Sequence, residues 1–173
     1  MSGPEAPLPE QAPADRSTEA APSTVEAASL RDAQAIAARI AADEAEADAE
    51  RQRLTVEPLP DLTDGEANGR PADALRQAER LHAVRHAALL ERGSAELPRG
   101  GTLYLTSARL RHLAEDWSHD IPLDQIADMA VALERLLLIG LADGSDLAIE
   151  VDRPRLLRVQ VAAARAAIRV QPA

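Results

Sequence analysis

The stretch Leu136-Leu137-Leu138-Ile139-Gly140-Leu141-Ala142-Asp143-Gly144-Ser145-Asp146-Leu147-Ala148-Ile149-Glu150-Val151-Asp152-Arg153-Pro154 decides the fold class of this chain. Leu136 to Leu141 is apolar on both faces, and Leu147 to Val151 alternates apolar and polar residues. Asp143-Gly144 stands between the two runs, and Asp-Gly between apolar runs is a strong signal for a tight β-hairpin. The pattern then changes period. Asp152 is a candidate N-cap, and Pro154 falls in a first helical turn, where its missing N–H costs little. Leu157, Val161, Ala164 and Ile168 recur at spacings of four, three and four, which is one face of a helix. Arg158, Arg165 and Arg169 lie off that face, so the expected helix is amphipathic and rests on a sheet.

Towards the N-terminus the strand-like pattern continues. Ile126 to Leu133 places Ala127, Met129, Val131 and Leu133 on one side. Trp117 to Ile121 alternates Trp117, His119 and Ile121 with Ser118 and Asp120, and Pro122 closes it. Arg109 to Leu113 forms a further segment. Thr102 to Thr106 turns Leu103 and Leu105 one way and Thr102, Tyr104 and Thr106 the other, with good strand formers throughout. Arg80 to Arg92 carries Leu81, Val84, Leu89 and Leu90 in a pattern that reads as either strand or helix. Seven short segments joined by tight turns and followed by one amphipathic helix indicate an antiparallel sandwich or barrel whose apolar mouth the helix covers.

Two motifs carry a family resemblance. Gly101-Thr102-Leu103-Tyr104-Leu105-Thr106-Ser107-Ala108-Arg109-Leu110 resembles the "G-x-L-x-L-T-x-x-R-L" stretch of GRAM and bacterial PH-like domains, and Ile121-Pro122-Leu123-Asp124-Gln125-Ile126 resembles their "I-P-L-x-x-I" stretch. Leu138 to Val151 is similar to their last hairpin, and the closing helix stands in the corresponding place. The resemblance implies a mostly β chain with one C-terminal α-helix, a PH-like seven-stranded antiparallel barrel or sandwich capped by that helix. It covers about half of the chain, residues 80–169, after a lead-in at 71–79.

Residues 1–70 have another character. They hold 15 acids and 6 arginines, a net charge of −9, against −1 for residues 71–173. Residues 1–28 are mainly Pro, Ala, Glu and Ser and bury too little apolar surface to offset their ordering entropy, so the reading is a disordered acidic tail. Residues 29–54 lack Pro and Gly and form a candidate helix with Ser29 as its N-cap. Its apolar stripe, Leu30, Ala33, Ala37 and Ile40, fades into Asp43-Glu44-Ala45-Glu46-Ala47-Asp48, which favours a solvated, fraying helix over the alternative of a partner-binding one. Pro58, Pro60, Gly65 and Gly69 mark residues 55–70 as a linker, and Pro71 opens a short candidate helix.

Composition bounds the function. The chain has no cysteine, so disulfides and thiolate metal sites are excluded. It has no Lys and no Phe; its 19 basic residues are all arginine. Neither half carries the basic footprint of a nucleic-acid binder. The N-terminus lacks the pattern of a secretory signal and the longest apolar run is far too short for a membrane span, so a cytoplasmic protein is expected, with peripheral membrane attachment as a variant. His82 and His86 are four apart without a third ligand of suitable spacing. No nucleophile elbow, phosphate loop or dinucleotide fingerprint is present. The expectation is a non-enzymatic module with no cofactor or metal.

Lipid-binding PH domains use a basic cluster around the loop joining their first two strands. Here that loop, Arg92 to Arg99, contributes two arginines, one glutamate and no lysine. The reading therefore favours an adaptor that recognises a protein or peptide partner through a strand edge or the groove beside the helix. The alternative is anionic lipid bound through Arg92, Arg99, Arg109 and Arg111. Arg153 and Arg155, at the start of the last helix, complete the candidate anion contacts, because arginine binds carboxylate and phosphate well. Arg109 belongs to the resembling motif, where an internal salt bridge is the commoner role. The charge split suggests in addition that the acidic tail folds back and masks the domain's own arginines.

Overall fold

The computed structural model describes residues 24–62, 75–76, 78–91 and 98–170. Of the disordered start expected over residues 1–28, residues 24–28 are helical instead; residues 1–23, residues 71–74 of the short helix expected at Pro71, and the loop containing Arg92 lie outside the described residues. The chain runs α1 (Thr24–Arg53), β1 (Leu81–Glu91), β2 (Arg99–Thr106), β3 (Arg109–Leu113), β4 (Ser118–Pro122), a 3-10 turn (Leu123–Gln125), β5 (Ile126–Ala132), β6 (Leu136–Leu141), β7 (Asp146–Val151) and α2 (Pro154–Val170). The strands form one antiparallel sheet in the order β4-β3-β2-β1-β7-β6-β5, with β4 and β5 at its edges. This is a PH-like architecture, seven strands capped by the C-terminal helix α2, with the helix α1 added before the strands.

Strand β1 joins the two halves of the sheet. Its first part pairs with β2, from Leu81 opposite Thr106 to Leu89 opposite Arg99, and its last part pairs with β7, from Ala87 opposite Val151 to Glu91 opposite Leu147. The segment that read as strand or helix is therefore the strand on which both half-sheets depend. Its inward positions are Ala83, Ala87 and Leu89, all buried. Two of the three are alanines, so the alternation lacks the large apolar residues that make a strand conspicuous.

The core lies between the half-sheets and under α2. Leu103, Leu105, Leu110, Ile121, Leu123, Leu137, Ile139 and Ile149 meet Leu157, Val161 and Ala164 there. Leu123 is the plug supplied by the 3-10 turn. Ile168 packs at the edge of the same cluster, so α2 uses the face its spacing indicates. In the β6–β7 turn the backbone N–H and hydroxyl of Ser145 donate to Asp143 Oδ1 at 2.9 and 2.6 Å, and Gly144 adopts φ +85°. Those hydrogen bonds hold the Asp143 carboxyl below the ordinary carboxylate range.

Several expectations change in three dimensions. Leu133 does not continue β5; it stands in the β5–β6 turn at φ 56°, 81% exposed. A register shift between Ile126 and Asp128 moves the inward face, so Ile126, Met129 and Val131 reach the core rather than the series beginning at Ala127. Ser29 lies inside α1, five residues after its first turn begins, and is not its cap. The residues before β1 cover the barrel: Leu59 joins the main core, and Leu62 and Leu75 pack on Leu81 and Tyr104. Tyr104 and Thr106, on the side of β2 away from the leucines, are consequently buried as well. The Leu62 N–H donates to the Leu81 carbonyl at 2.7 Å, and His82 Nδ1 lies 2.9 Å from the Pro60 carbonyl. Among the described residues no helix is long and apolar enough to cross a membrane.

Candidate binding surfaces

The candidate arginines fall into three groups. Arg109, on β3, is 2% exposed. Its guanidinium bridges Glu79, 3.2 Å from Nε, and Asp120 on β4. Arg76 joins Asp120 at 3.2 Å, and Arg111 Nε lies 3.7 Å from the other oxygen of the same carboxylate. Asp120 thus gathers three arginines, and Arg109 and Arg111 are engaged with acids of their own chain. Arg99 belongs elsewhere. Its guanidinium stands 5.0 Å from the centre of the Trp117 ring, which stacks on His119 at 5.5 Å and meets His112 at 5.8 Å. Trp117 is half-buried against the core rim, so the arginine covers an indole that the fold holds in place. His112 is buried and its Nε2 lies 3.2 Å from the Ala87 carbonyl. Burial keeps its imidazole below the ordinary histidine pKa; the hydrogen bond to Ala87 opposes this, and nearby His119 reinforces it.

Arg153 and Arg155 form the third group. They flank the first turn of α2, and α1 lies on them. Asp43, 4% exposed, accepts hydrogen bonds from the backbone N–H of Arg155 at 2.9 Å and of Leu156 at 3.0 Å. Asp152 does not cap α2, contrary to its reading in the sequence. The first turn takes its carboxylate from α1 instead, and Asp152 pairs with Arg135 at 3.1 Å. Arg153 bonds Glu46 at 2.8 Å, and Arg155 lies 3.6 Å from Asp43 and 3.9 Å from Glu44. Arg85, from β1, reaches the same region and donates to Gln160 at 3.0 Å. Burial disfavours its charge and lowers its pKa from the usual arginine value, Arg153 adds repulsion, and Asp43, Glu46 and Asp152 act in the opposite sense.

The face of α1 that packs is an acidic one. Asp43, Glu46, Ala47 and Glu50 follow one another at i, i+3, i+4 and i+7. Arg53 holds the Glu50 carboxyl below its ordinary pKa, aided by Gln160 of α2 and opposed by burial. Of the stripe singled out from sequence, Leu30 (56% exposed), Ala33 and Ala37 are on the outside and Ile40 is half-buried. The expectation of a wholly solvated helix thus fails for the second half of α1, because the positive end of α2 and its arginines attract carboxylates. The apolar part of the contact is small side chains: Ala47 is the fully buried apolar residue of α1 among those described, Ile40 is half-buried, and Val159 of α2 is buried outside the main core beside Arg51 and Leu54. A carboxylate cap contributes about 1 kcal/mol, and each exposed ion pair contributes from about 0 to 1 kcal/mol.

A separate groove runs beside the second half of α2. It encloses about 750 Å³ between Leu54 to Leu59, the β2–β3 turn at Ser107 and Ala108, and Ala163, Ala167 and Ile168 of α2. Its wall of small apolar side chains is rimmed by Glu57, Glu79, Arg80 and Asp124. Sequence reading passed over Glu79, Asp43 and Arg85, whose partners lie on other elements. Among the described residues no group of three or more histidines, acids or cysteines is placed to hold a metal ion.

No protein-family profile matches this chain, and no curated protein matches it. Among solved structures it is similar to the Vps36 N-terminal PH domain, with 17% identity, 56% of this chain and 86% of that chain covered, and a TM-score of 0.46. It is also similar to the N-terminal PH domain of human ARAP2, with 9% identity, 53% and 85% covered, and a TM-score of 0.41. A third is the C-terminal domain of an unknown protein from Leishmania infantum, with 17% identity, 58% and 91% covered, and a TM-score of 0.40. The PH-like description stands on the strand order, the bridging β1 and the capping α2.

Proposed function

We propose that this protein is a non-enzymatic binding module of the cytoplasm, an adaptor that recognises a protein or peptide partner. The observation that supports this most directly is the groove beside α2. It has a mixed lining of the kind a peptide requires: alanines and Ile168 along one wall, charged groups at the rim, and Ser107 and Ala108 of the β2–β3 turn close by. The engagement of Arg109, Arg111, Arg153 and Arg155 with acids of the same chain argues in the same direction. An anionic lipid headgroup would have to displace those carboxylates before it could use the arginines.

The test is selection of a displayed random-peptide library on the immobilised full chain, with Ala163→Arg and Ala167→Arg as groove-blocked variants. Selected peptides should lose roughly tenfold or more in affinity on the variants, the cost of filling a pocket that a hot-spot side chain occupies. In parallel, the full chain is sedimented with neutral and anionic liposomes across a salt series. Sedimentation that requires anionic lipid and weakens with salt, without any selected peptide, would replace this reading with the membrane one.

A further inference from the structure

We infer that the first turns of α2 together with Arg85 form a receptor face for an acidic helix, that α1 is its exchangeable intramolecular occupant, and that a partner protein docks there by presenting an acidic helix in place of α1. This deepens the binding-module reading, on which it rests, by assigning a partner class to a face distinct from the groove.

Charge and spacing define the occupant. The receptor offers the N–H groups of Arg155 and Leu156, the guanidinium groups of Arg153 and Arg155, and the Gln160 side chain. On α1 these meet Asp43, Glu46 and Glu50, carboxylates on successive turns of a single helix face, with Ala47 buried between them. A residue larger than alanine at that place would hold the helix off. The required ligand is therefore an acidic helix with a small residue between its carboxylates, a pattern that an isolated phosphate does not supply.

The mode of attachment makes α1 exchangeable. α2 inserts Leu157, Val161 and Ala164 into the core and cannot leave without opening it. α1 buries Ala47 fully and Ile40 partly and otherwise contributes hydrogen bonds and ion pairs, so its departure uncovers the Val159 side of α2 and leaves the main core closed. Residues 28–39 of α1 are exposed along the whole of their length. Once α1 leaves, the positive end of α2 and three arginines lose their counter-charges, and an acidic replacement is favoured over a neutral one.

The test uses the full chain and a fluorescent peptide with the sequence of residues 30–54. Tethering gives the chain's own α1 an effective concentration of roughly millimolar, so the wild-type chain should take up little peptide. Asp43→Ala with Glu46→Gln should raise peptide affinity about tenfold or more, the equivalent of losing two contacts. Adding Arg153→Glu and Arg155→Glu should abolish the gain. The amide resonances of Arg155 and Leu156 should move in the loosened chain and return when peptide is added. Glu46→Gln alone, at a side chain 42% exposed, keeps the test open if Asp43→Ala disturbs folding.

Equal affinity of wild-type and loosened chains overturns the inference, and so does peptide binding that ignores Arg153→Glu and Arg155→Glu. Inorganic tripolyphosphate competing as well as the peptide would also overturn it, since the face would then accept any anion. Ala163→Arg and Ala167→Arg separate the two readings: they should weaken peptides selected on the groove and leave uptake of the residue 30–54 peptide by the loosened chain unchanged.

Discussion

Gly101 lies against His112 so closely that a side chain has no room between the strands: a Cβ on Gly101 would come within 2.9 Å of His112 Cε1 and would overlap the Leu113 carbonyl oxygen. The carbonyl belongs to backbone paired across β2 and β3 and cannot swing away. Gly101→Ala should therefore destabilise the fold by about 2 kcal/mol, in the range of overpacked cores. Urea unfolding checks this, with Gly100→Ala as the control, because nothing lies within 4 Å of a Cβ there.

His112 should make stability depend on pH. Burial holds its folded pKa below the ordinary value of 6.5. The unfolded chain thus binds the proton first as pH falls, and the folded chain stays neutral. This contribution is fully present above the unfolded pKa, declines as pH falls through it, and levels off below the folded pKa. The slope can reach about 1.4 kcal/mol per pH unit for one group. Chemical unfolding at pH 7.5 and 5.5 should show the decline in the wild-type chain and a shallower one in His112→Gln. Equal slopes in the two proteins would refute the assignment.

Arg109 should behave as a structural residue. It is buried between Glu79 and Asp120, so Arg109→Ala strips the buried Glu79 carboxylate of its cation, while Asp120 keeps Arg76 and Arg111. The expected cost is about 3 kcal/mol. Arg109→Lys should recover part of it, since one ammonium cannot serve both acids with the fork of a guanidinium. A double-mutant cycle with Glu79→Gln should return a coupling energy of about 1 kcal/mol or more; additivity would show that the bridge contributes nothing of its own.

Asp43 should stabilise α2 from a distance of 112 residues in the chain. Asp43→Ala should cost about 1–2 kcal/mol, the range for a lost N-cap, and Asp43→Asn should cost less because an acceptor remains. Asp152→Ala should be nearly neutral, its partner being the exposed Arg135. If Asp152→Ala proves the more damaging of the two, α2 is capped by its own neighbour and α1 is incidental to it.

The strands were readable because tight turns and short-range alternation are local. β3 and β6 have the bounds their residue patterns indicate, and the Asp143-Gly144 turn joins β6 and β7. α2 was readable for the same reason, four apolar residues on one face. β1 was not, because alanines occupy two of its inward positions and because its two ends serve different half-sheets. The candidate site was harder still. The presence of arginines at 99, 109, 111, 153 and 155 is a matter of sequence, but which acid or ring each one meets is not.

Sequence by itself determined the barrel-and-helix class, the core face of α2, and an acidic first half joined to a nearly neutral second half. Each of these follows from periodicity or from charge summed along the chain. Tertiary structure alone decided that most of the apolar stripe of α1 faces outward while its acidic face packs, that Asp43 and not Asp152 caps α2, and that Glu79 and Asp120 are the partners of the Arg109 bridge. The reason is common to all three: a charged group takes the partner nearest in space, and the fold brings together residues that no local pattern connects.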